Sequence, residues 1–216
     1  MHKKVSIEIL EKWLTGWSLS RALPLPTSHK TGFKVNVGDE KQKMRYVFSE
    51  PDAFFLHLAE SIDEPWVFLK VCTCFDDFKD KIPDRWILQP QGYMMSCLGL
   101  MKIPDTVCLP RGYTLEFESY PSAFVAKIMT KTGEQAAIGR VVIVDDIAIY
   151  DRILTEKEYQ RKGLATFLIK QLEKIALSKK VFKNFLIATE EGKMLYEALG
   201  WEVYSFYTSI VIPSKI

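Results

Sequence analysis

The sequence predicts an α/β fold with a mixed sheet, and the order of its segments supplies the reasons. From residue 113 to residue 212, strand-like segments with alternating or β-branched residues are interrupted by two amphipathic segments. One helix-like segment lies between two strands, which favours a parallel strand pair joined by a right-handed crossover. A turn at residues 131–134 joins two other strands as a hairpin, which adds antiparallel neighbours.

The C-terminal half shows this order most clearly. A helix is predicted to follow Gly163, because the apolar residues after it fall on one helical face: Leu164, Phe167, Leu168, Leu172 and Ile175. A second helix is predicted at residues 190–200, with acidic residues at its start and a glycine where helices usually end. The strands are predicted at residues 113–119, 122–130, 135–146, 147–155 and 185–189, with residues 202–212 as one strand or two with a bend.

The N-terminal half has a similar order. Residues 32–37 and 44–49 are predicted to form a hairpin, followed by a helix at residues 50–62. A strand at residues 66–72, a short helix at 75–82 and a strand at 92–98 come next. Strand, helix, strand, helix, strand is also the order after Tyr150, so we interpret this half as a degenerate internal repeat; the alternative is an unrelated α/β cap. The proline-containing stretch 103–112 is the predicted junction, which gives regions 1–105 and 106–216.

Composition limits the classes of function. The 216 residues include 29 basic and 27 acidic side chains, for a net charge of +2, so we expect no nucleic-acid partner. No apolar run approaches the roughly 20 residues that cross a bilayer, and we expect no membrane contact. The basic N-terminus is interrupted by Glu8 and Glu11, unlike a signal peptide. A cytoplasmic protein is the resulting expectation.

The cysteines and histidines do not show metal-ligand spacing. Cys72 and Cys74 are separated by one residue, whereas zinc knuckles use two or more, and His2, His29 and His57 are scattered. We therefore expect no metal, and reduced cysteines with structural roles. The glycine-rich fingerprints GxGxxG and GxxxxGK[ST] do not occur in the sequence.

The string "QRKGLA", residues 160–165, has the chemistry of an anion site. It begins a predicted helix, where backbone N–H groups lack partners and the helix dipole is positive. Gly163 allows close approach to the backbone, and Gln160, Arg161 and Lys162 add side-chain donors. These properties suit a pyrophosphate, although the same string is also compatible with a solvated turn.

The context of this string resembles a known superfamily. "QRKGLA" fits the pattern Gln/Arg-x-x-Gly-x-Gly/Ala between a β-branched strand and an amphipathic helix. About thirty residues later comes "LYEALGW", residues 195–201, itself followed by a strand. In these motifs the sequence resembles the GCN5-related N-acetyltransferase (GNAT) superfamily, over residues 113–212. The resemblance implies the GNAT fold for this half.

The resemblance also implies how acetyl-CoA is bound. Its pyrophosphate would lie on the backbone amides from Arg161 to Thr166. The predicted strands 147–155 and 185–189 would separate, and the pantetheine arm would enter the gap as an added strand. The cofactor-binding residues that this implies are Ile153, Leu154, Thr155, Gln160, Arg161, Lys162, Gly163, Leu164, Ala165, Thr166 and Thr189.

Two residues are candidates for catalysis. Tyr196 matches the superfamily tyrosine near the thioester sulfur, and its phenol, with an ordinary pKa of about 10, can donate a proton to the thiolate. The alternative is a core tyrosine. Asp151, predicted to share a strand face with Ile149, Ile153 and Thr155, is a candidate general base; alternatively it pairs with Arg152 or caps a loop.

Three positions depart from the superfamily pattern. Thr189 stands where many members have asparagine, Gly192 where many have alanine, and Lys157 where proline is common. The pyrophosphate site is unaffected by these departures. The position of Thr189 leaves open how the acceptor or the pantetheine arm is held.

The predicted function is transfer of an acetyl group from acetyl-CoA to a primary amine of a small molecule or peptide, by direct attack in a ternary complex. The alternative is a non-catalytic acyl-CoA-binding or regulatory module, and a third interpretation is transfer of a bulkier acyl group. A pocket shared by Tyr196 and a carboxylate would favour catalysis, whereas a pocket filled by Phe124, Tyr150 or Tyr207 would favour binding alone. The acceptor is unassigned, and the protein is expected to be a monomer or a homodimer.

Overall fold

A single mixed sheet runs through the molecule. The computed structural model describes residues 4–120 and 122–214, so that His2 lies outside the described residues. The helices are α1 (Ile7–Ser20), α2 (Ala53–Ser61), α3 (Leu164–Ser178) and α4 (Glu190–Ala198). The strands are β1 (Thr27–His29), β2 (Gly32–Asp39), β3 (Gln42–Phe48), β4 (Val67–Val71), β5 (Ile87–Leu88), β6 (Gly92–Leu98), β7 (Tyr113–Tyr120), β8 (Ala123–Thr130), β9 (Gln135–Val144), β10 (Ile147–Thr155), β11 (Lys183–Thr189) and β12 (Glu202–Val211).

The order of strands confirms the predicted mixed sheet. It runs β1-β2-β3-β4-β12-β6-β11-β10-β9-β8-β7, and β5 pairs with β12. Within the described ranges, the parallel pairs are β3 with β4 and β10 with β11, and the other pairs are antiparallel. Each parallel pair is joined by one helix, α2 or α3.

The two halves of the chain exchange strands at the centre of this sheet. β6, from the first hundred residues, lies between β11 and β12. β12, at the C-terminal end, lies between β6 and β4. The predicted regions 1–105 and 106–216 therefore share one continuous sheet, and side chains from both can meet over its centre.

Helix α1 was not predicted from the sequence. It begins after Ser6, whose hydroxyl accepts a hydrogen bond from the Ile9 amide at 3.2 Å. It packs against β9, β10 and β2. Gly16 allows this close approach, since a Cβ there would lie 2.5 Å from Cγ1 of Ile149. The buried residues of the helix face the sheet: Leu10, Trp13, Leu14 and Trp17.

Helices cover both faces of the sheet. We call the face under α1 the α1 face; its buried residues include Val47, Met94, Ile149, Phe185 and Tyr207. Helices α3 and α4 cover the other face over the C-terminal strands, and α2 covers it over the N-terminal strands. The predicted short helix at residues 75–82 is instead a pair of 3-10 turns, Phe75–Asp77 and Lys79–Lys81. In the described part of the chain, no helix combines the length and apolar character needed to span a bilayer.

Candidate active site

The parallel strands β10 and β11 separate halfway along their length. They pair at three positions, Ile147 with Lys183, Ala148 with Asn184 and Ile149 with Phe185. Beyond these positions β10 continues to Thr155 and β11 to Thr189 without pairing to each other. A gap therefore opens between the two strands, as the resemblance implies.

A bulge in β10 accompanies the separation. The register of β10 against β9 shifts between Asp151 and Leu154, and Arg152 adopts a positive φ of 52°. The bulge reverses the alternation of side chains: Ile149 contacts α1, whereas Ile153 lies on the other face, near Leu168 and Leu172 of α3. The prediction that Ile153 shares a face with Ile149 and Asp151 was wrong, because one inserted residue changes the parity of the strand.

The turn before α3 presents free backbone amides. Gly163 is the N-cap residue with φ 76°, and no side chain in the described ranges caps the helix. Residues 160–163 are exposed, and the first helical turn contains no acidic residue. Among the hydrogen bonds of the described residues, none is donated by a backbone N–H of residues 161–166. This turn has the donors and the dipole that an anion requires.

Between the turn and the gap lies a buried hydroxyl. The side chain of Thr155 has no hydrogen-bond partner within the described residues. The Thr155 carbonyl accepts from Nε2 of Gln160 at 3.3 Å, which ties the end of β10 to the turn. A buried polar group without a partner is costly, so this position is suited to a ligand group.

Tyr196 is a buried residue of α4. Its side chain packs at the level of Gly192, and its ring centroid lies 5.7 Å from that of Trp201. Burial raises the pKa of Tyr196 well above its ordinary value, and the carboxylate of Asp151 adds to the rise. The phenol is therefore protonated at neutral pH, as a proton donor must be.

Asp151 is held by the end of α1. Its carboxylate accepts from Oγ of Ser20 at 2.5 Å and from Nε and Nη2 of Arg21 at 2.8 and 2.9 Å. These charge-assisted bonds engage both oxygens of the carboxylate. They favour the ion-pair interpretation of Asp151, with Arg21 in place of the Arg152 that the sequence suggested.

A cleft of about 340 Å³ opens on the α1 face beside the gap. Its walls come from both halves of the chain and contain three cationic side chains, Arg21, Arg45 and Lys70. Asp151 is the one acidic residue among the lining residues described. The remaining lining residues are Trp13, Trp17, Phe68, Gln89, Pro90, Gln91, Gly92, Ile149, Tyr150, Ile187, Ala188, Thr189, Tyr207 and Ser209.

The cleft meets the two geometric criteria only in part. Asp151 lines it, whereas Tyr196 is not among the lining residues described. Tyr150 and Tyr207 line the cleft but leave it open. Thr189 also borders it, and its Oγ1 accepts from the Gly192 amide at 3.1 Å as the N-cap of α4.

Sequence reasoning missed most of the cleft. It assigned no role to Arg21, Arg45 or Lys70. A signal was present, because Lys70 interrupts the apolar run of β4 and a charged residue in a buried strand is unusual. No group of three or more His, Cys, Asp or Glu residues in the described ranges is placed to hold a metal ion.

Comparison with known proteins agrees with the fold. The acetyltransferase (GNAT) domain family matches residues 121–203. A solved GCN5-related N-acetyltransferase from Kribbella flavida is 13% identical, with a TM-score of 0.65 over 94% of this chain and 95% of that chain. A GCN5-related N-acetyltransferase-like protein from Streptococcus suis is 15% identical, with a TM-score of 0.57 over 91% and 92%.

A third solved structure is similar to this protein over almost the whole chain. A tandem GNAT protein from the clavulanic acid biosynthesis pathway is 14% identical, with a TM-score of 0.57 over 99% of this chain and 98% of that chain. No curated protein matches the sequence. At these identities the solved structures show the fold alone. The family match shows which residues are similar to the GNAT domain. Residues 121–203 therefore match the GNAT domain family, and the fold of the chain is similar to that of solved GNAT proteins.

Proposed function

We propose that the protein is an N-acetyltransferase that moves an acetyl group from acetyl-CoA to a primary amine. The observation that supports this best is the coincidence of two features on one parallel strand pair. The gap between β10 and β11 opens at the end where α3 begins with uncapped amides. A ligand with an anionic part and an extended amide-containing arm fits both features at once.

The residues of the turn suit the pyrophosphate of acetyl-CoA. The backbone N–H groups of residues 161–166 would receive its oxygens, and the side chains of Gln160, Arg161 and Lys162 lie exposed around them. The positive φ of Gly163 orients these amides in the absence of a side-chain cap. Leu164, Ala165 and Thr166 form the first turn of α3 and supply its unpaired amides.

The gap suits the pantetheine arm. Among the described residues, strand β10 has no partner strand on the β11 side from residue 150 onward, so its backbone can pair with an added extended molecule. Ile153, Leu154 and Thr155 form this edge, and the unpartnered hydroxyl of Thr155 lies beside it. Thr189 ends β11 on the opposite side of the gap.

The acceptor amine would approach from the α1 face. The cleft on that face reaches the gap at Ile149, Asp151 and Thr189, while α3 lies on the opposite face of the sheet. In a ternary complex the ammonium group of the acceptor would first lose a proton to water, since only the neutral amine has a lone pair that can attack the thioester carbonyl. The carbon–nitrogen bond then forms, the carbon–sulfur bond breaks, and Tyr196 would give a proton to the leaving thiolate. The nitrogen loses its second proton through water, which returns a proton to Tyr196.

A second candidate function is acyl-CoA binding without turnover, as in a regulatory module. Two observations favour it: Tyr196 is not among the residues that line the cleft, and the carboxylate of Asp151 is already engaged by Arg21. Either function places the protein in the cytoplasm in our proposal, because acetyl-CoA is used there and the four cysteines are free thiols.

Formation of an acetylated amine distinguishes these candidates. The purified protein would be incubated with acetyl-CoA and a panel of primary amines, and acetylated products would be detected by mass spectrometry. This readout avoids the exposed thiol of Cys108, which would react with thiol reagents. We expect amine-dependent acetylation that Tyr196→Phe reduces. Acetyl-CoA binding without any acetylated product would instead support the binding module.

A further inference from the structure

Two cations of the cleft are buried without an anionic partner. Arg45 on β3 is 7% exposed and Lys70 on β4 is 8% exposed. Arg21, in contrast, is paired with Asp151. No carboxylate of the described residues lies within ion-pair distance of Arg45 or Lys70.

The contacts that these cations do make are neutral. Nζ of Lys70 donates to Oγ of Ser209 at 2.6 Å and lies 4.9 Å from the ring centroid of Phe68. The guanidinium of Arg45 stacks 3.7 Å from the ring centroid of Trp17. With its amide turned so that the oxygen faces Arg45, Gln42 accepts from Nη2 and Nε at 2.9 and 3.1 Å. None of these contacts neutralises the charge.

Both cations point to the same small region of the sheet. Lys70 is paired with Val47 on β3 and with Ser209 on β12, and Arg45 lies two residues before Val47, on the same face. Tyr207 precedes Ser209 by two residues on β12. Its buried hydroxyl lies next to Arg45 and has no hydrogen-bond partner of good geometry among the described residues.

Burial of these groups is unfavourable without a compensating charge. Burial lowers the pKa of Lys70 well below its ordinary value, and the charges of Arg45 and Arg21 lower it further. Two like charges and an unpartnered hydroxyl destabilise a fold unless a ligand completes them. A perturbed group in a cleft is the usual mark of a binding site.

We infer that Arg45, Lys70, Tyr207 and Ser209 form a subsite for an anionic group of the acceptor, a carboxylate or a phosphate. The inference rests on the proposed function, since it names the class of amine that the cleft accepts. Asp151, the one acidic residue among the lining residues described, is already paired with Arg21, so Arg45 and Lys70 leave the cleft with an excess of positive charge. It matches an amine that also carries an anionic oxygen group.

The size of the cleft limits the acceptor further. Its volume of about 340 Å³ lies at the lower end of the roughly 300–1,000 Å³ typical of small-molecule sites. The side chains of Trp13, Trp17 and Phe68 give it aromatic walls. A free amino acid or a small aminoalkyl phosphate fits this space and this charge pattern.

Calorimetric titrations with matched probes test the inference. Glycine and phenylalanine would each be compared with their carboxamides, and O-phosphoethanolamine with ethanolamine, in the presence of coenzyme A. We expect at least one anionic probe to bind at least ten-fold more tightly than its neutral counterpart. The pair that shows this preference identifies the group as a carboxylate or a phosphate.

Variants locate the preference. Arg45→Met and Lys70→Met should each reduce affinity for the anionic probe at least ten-fold, and Arg45→Lys should retain part of it. Lys43→Met is the matched control, because Lys43 lies on the same strand, is exposed and pairs with Glu64. Its affinity should equal that of the wild type. Circular dichroism and acetyl-CoA binding would confirm that each variant is folded.

Several outcomes overturn the inference. Equal binding of anionic and neutral probes, binding of no anionic probe, or a preference that survives both Arg45→Met and Lys70→Met would each do so. These outcomes leave the proposed function intact if acetyl-CoA still binds and amines are still acetylated. Anion binding by a protein that does not bind acetyl-CoA would overturn the proposed function instead.

Discussion

The two parallel strand pairs of the sheet are each connected by one helix, but they differ in how far along their length the strands stay paired. In the N-terminal half, β3 and β4 pair at five positions, from Met44 with Val67 to Phe48 with Val71. The amide of Cys72 extends this ladder by donating to the carbonyl of Phe48 at 3.0 Å. In the C-terminal half, β10 and β11 pair at three positions and then separate.

The helices that follow these strands also begin differently. Helix α2 is capped by the carboxylate of Asp52, which accepts from the Phe55 amide at 2.9 Å. Helix α3 begins at Gly163 without a side-chain cap. An aspartate at the N-cap places a negative charge where an anionic ligand would otherwise bind. We call β3, α2 and β4 the closed unit, because its own residues complete the strand pairing and cap the helix. We call β10, α3 and β11 the open unit, because its strands separate and its helix begins without a side-chain cap.

This difference shows that two units with the same connectivity do not present the same site. A strand–helix–strand unit does not by itself create a binding site. The unit for which we propose acetyl-CoA binding also has a bulge, a gap and a glycine turn without a side-chain cap. The closed N-terminal unit contributes in another way, because β3 and β4 present Arg45 and Lys70 to the cleft. We propose that the closed unit is a degenerate repeat, with its own cofactor site lost and an acceptor role gained.

The largest expected effect is on acetyl-CoA affinity and follows a substitution in the glycine turn of the open unit. Gly163→Trp should weaken acetyl-CoA binding about 1,000-fold, or about 4 kcal/mol, because a side chain at this position blocks two or more charge-assisted hydrogen bonds to backbone amides. Isothermal titration calorimetry measures the change. The matched control is Gly133→Trp, since Gly133 also has a positive φ and open space around its Cβ position but lies in the β8–β9 turn. Equal loss in both variants would contradict the assignment of the turn.

The next effect concerns Tyr196, which has no counterpart in the closed unit because 3-10 turns follow β4 there. Tyr196→Phe should lower kcat about 100-fold, with little change in the KM for acetyl-CoA. Burial raises the pKa of Tyr196, so the wild-type phenol keeps its proton as pH rises to about 10. Steady-state kinetics from pH 7 to about pH 10 should therefore show no fall in kcat caused by deprotonation of Tyr196. An unchanged kcat in Tyr196→Phe would exclude it as the proton donor.

A smaller effect sharpens the role of the closed unit. Lys70→Met should increase the free energy of unfolding by about 1–2 kcal/mol at neutral pH, because it removes a buried, unpaired charge. The folded-state pKa of Lys70 is lowered, so wild-type stability rises with pH between that pKa and the unfolded value of about 10.4. The advantage of the variant should shrink over the same range. Urea unfolding at pH 7 and near pH 10 measures both; a destabilised variant would show that Lys70 is paired in the free protein.

The smallest effect tests the cap of the closed unit. Asp52→Ala should destabilise the fold by about 1 kcal/mol through loss of the α2 cap, and leave acetyl-CoA affinity unchanged. Thermal unfolding and calorimetry check the two parts. Acetyl-CoA binding to a second site in this variant would show that the aspartate alone keeps the N-terminal unit closed.

The open unit was predictable from the sequence because its signals are local. The glycine turn, the amphipathic α3 and the acidic start of α4 each lie within a few residues. Helix α1 was also predictable, because Ser6 is a suitable N-cap and apolar residues follow it at helical spacing. The bulge at Arg152 was not predictable, because the residue is not a glycine and the shift in register depends on β9.

Local sequence patterns do not predict the cleft, because its residues come together only in the folded sheet. Arg45 and Lys70 lie on the consecutive strands β3 and β4, whereas Ser209 lies on β12, 139 positions after Lys70. β12 reaches β4 only through the strand exchange at the centre of the sheet. Likewise, the contact between Arg21 and Asp151 joins residues 130 positions apart. Pairings of this range depend on the whole topology, and one sequence does not specify which strands become neighbours.

The most direct test of the difference between the two units is the stoichiometry of acetyl-CoA binding to the wild-type protein. Calorimetric titration with a protein concentration fixed by amino-acid analysis gives the number of sites per chain. We predict one site, formed by the gap between β10 and β11 and by the turn before α3. Two equivalent sites, or none, would contradict the account of one open and one closed unit.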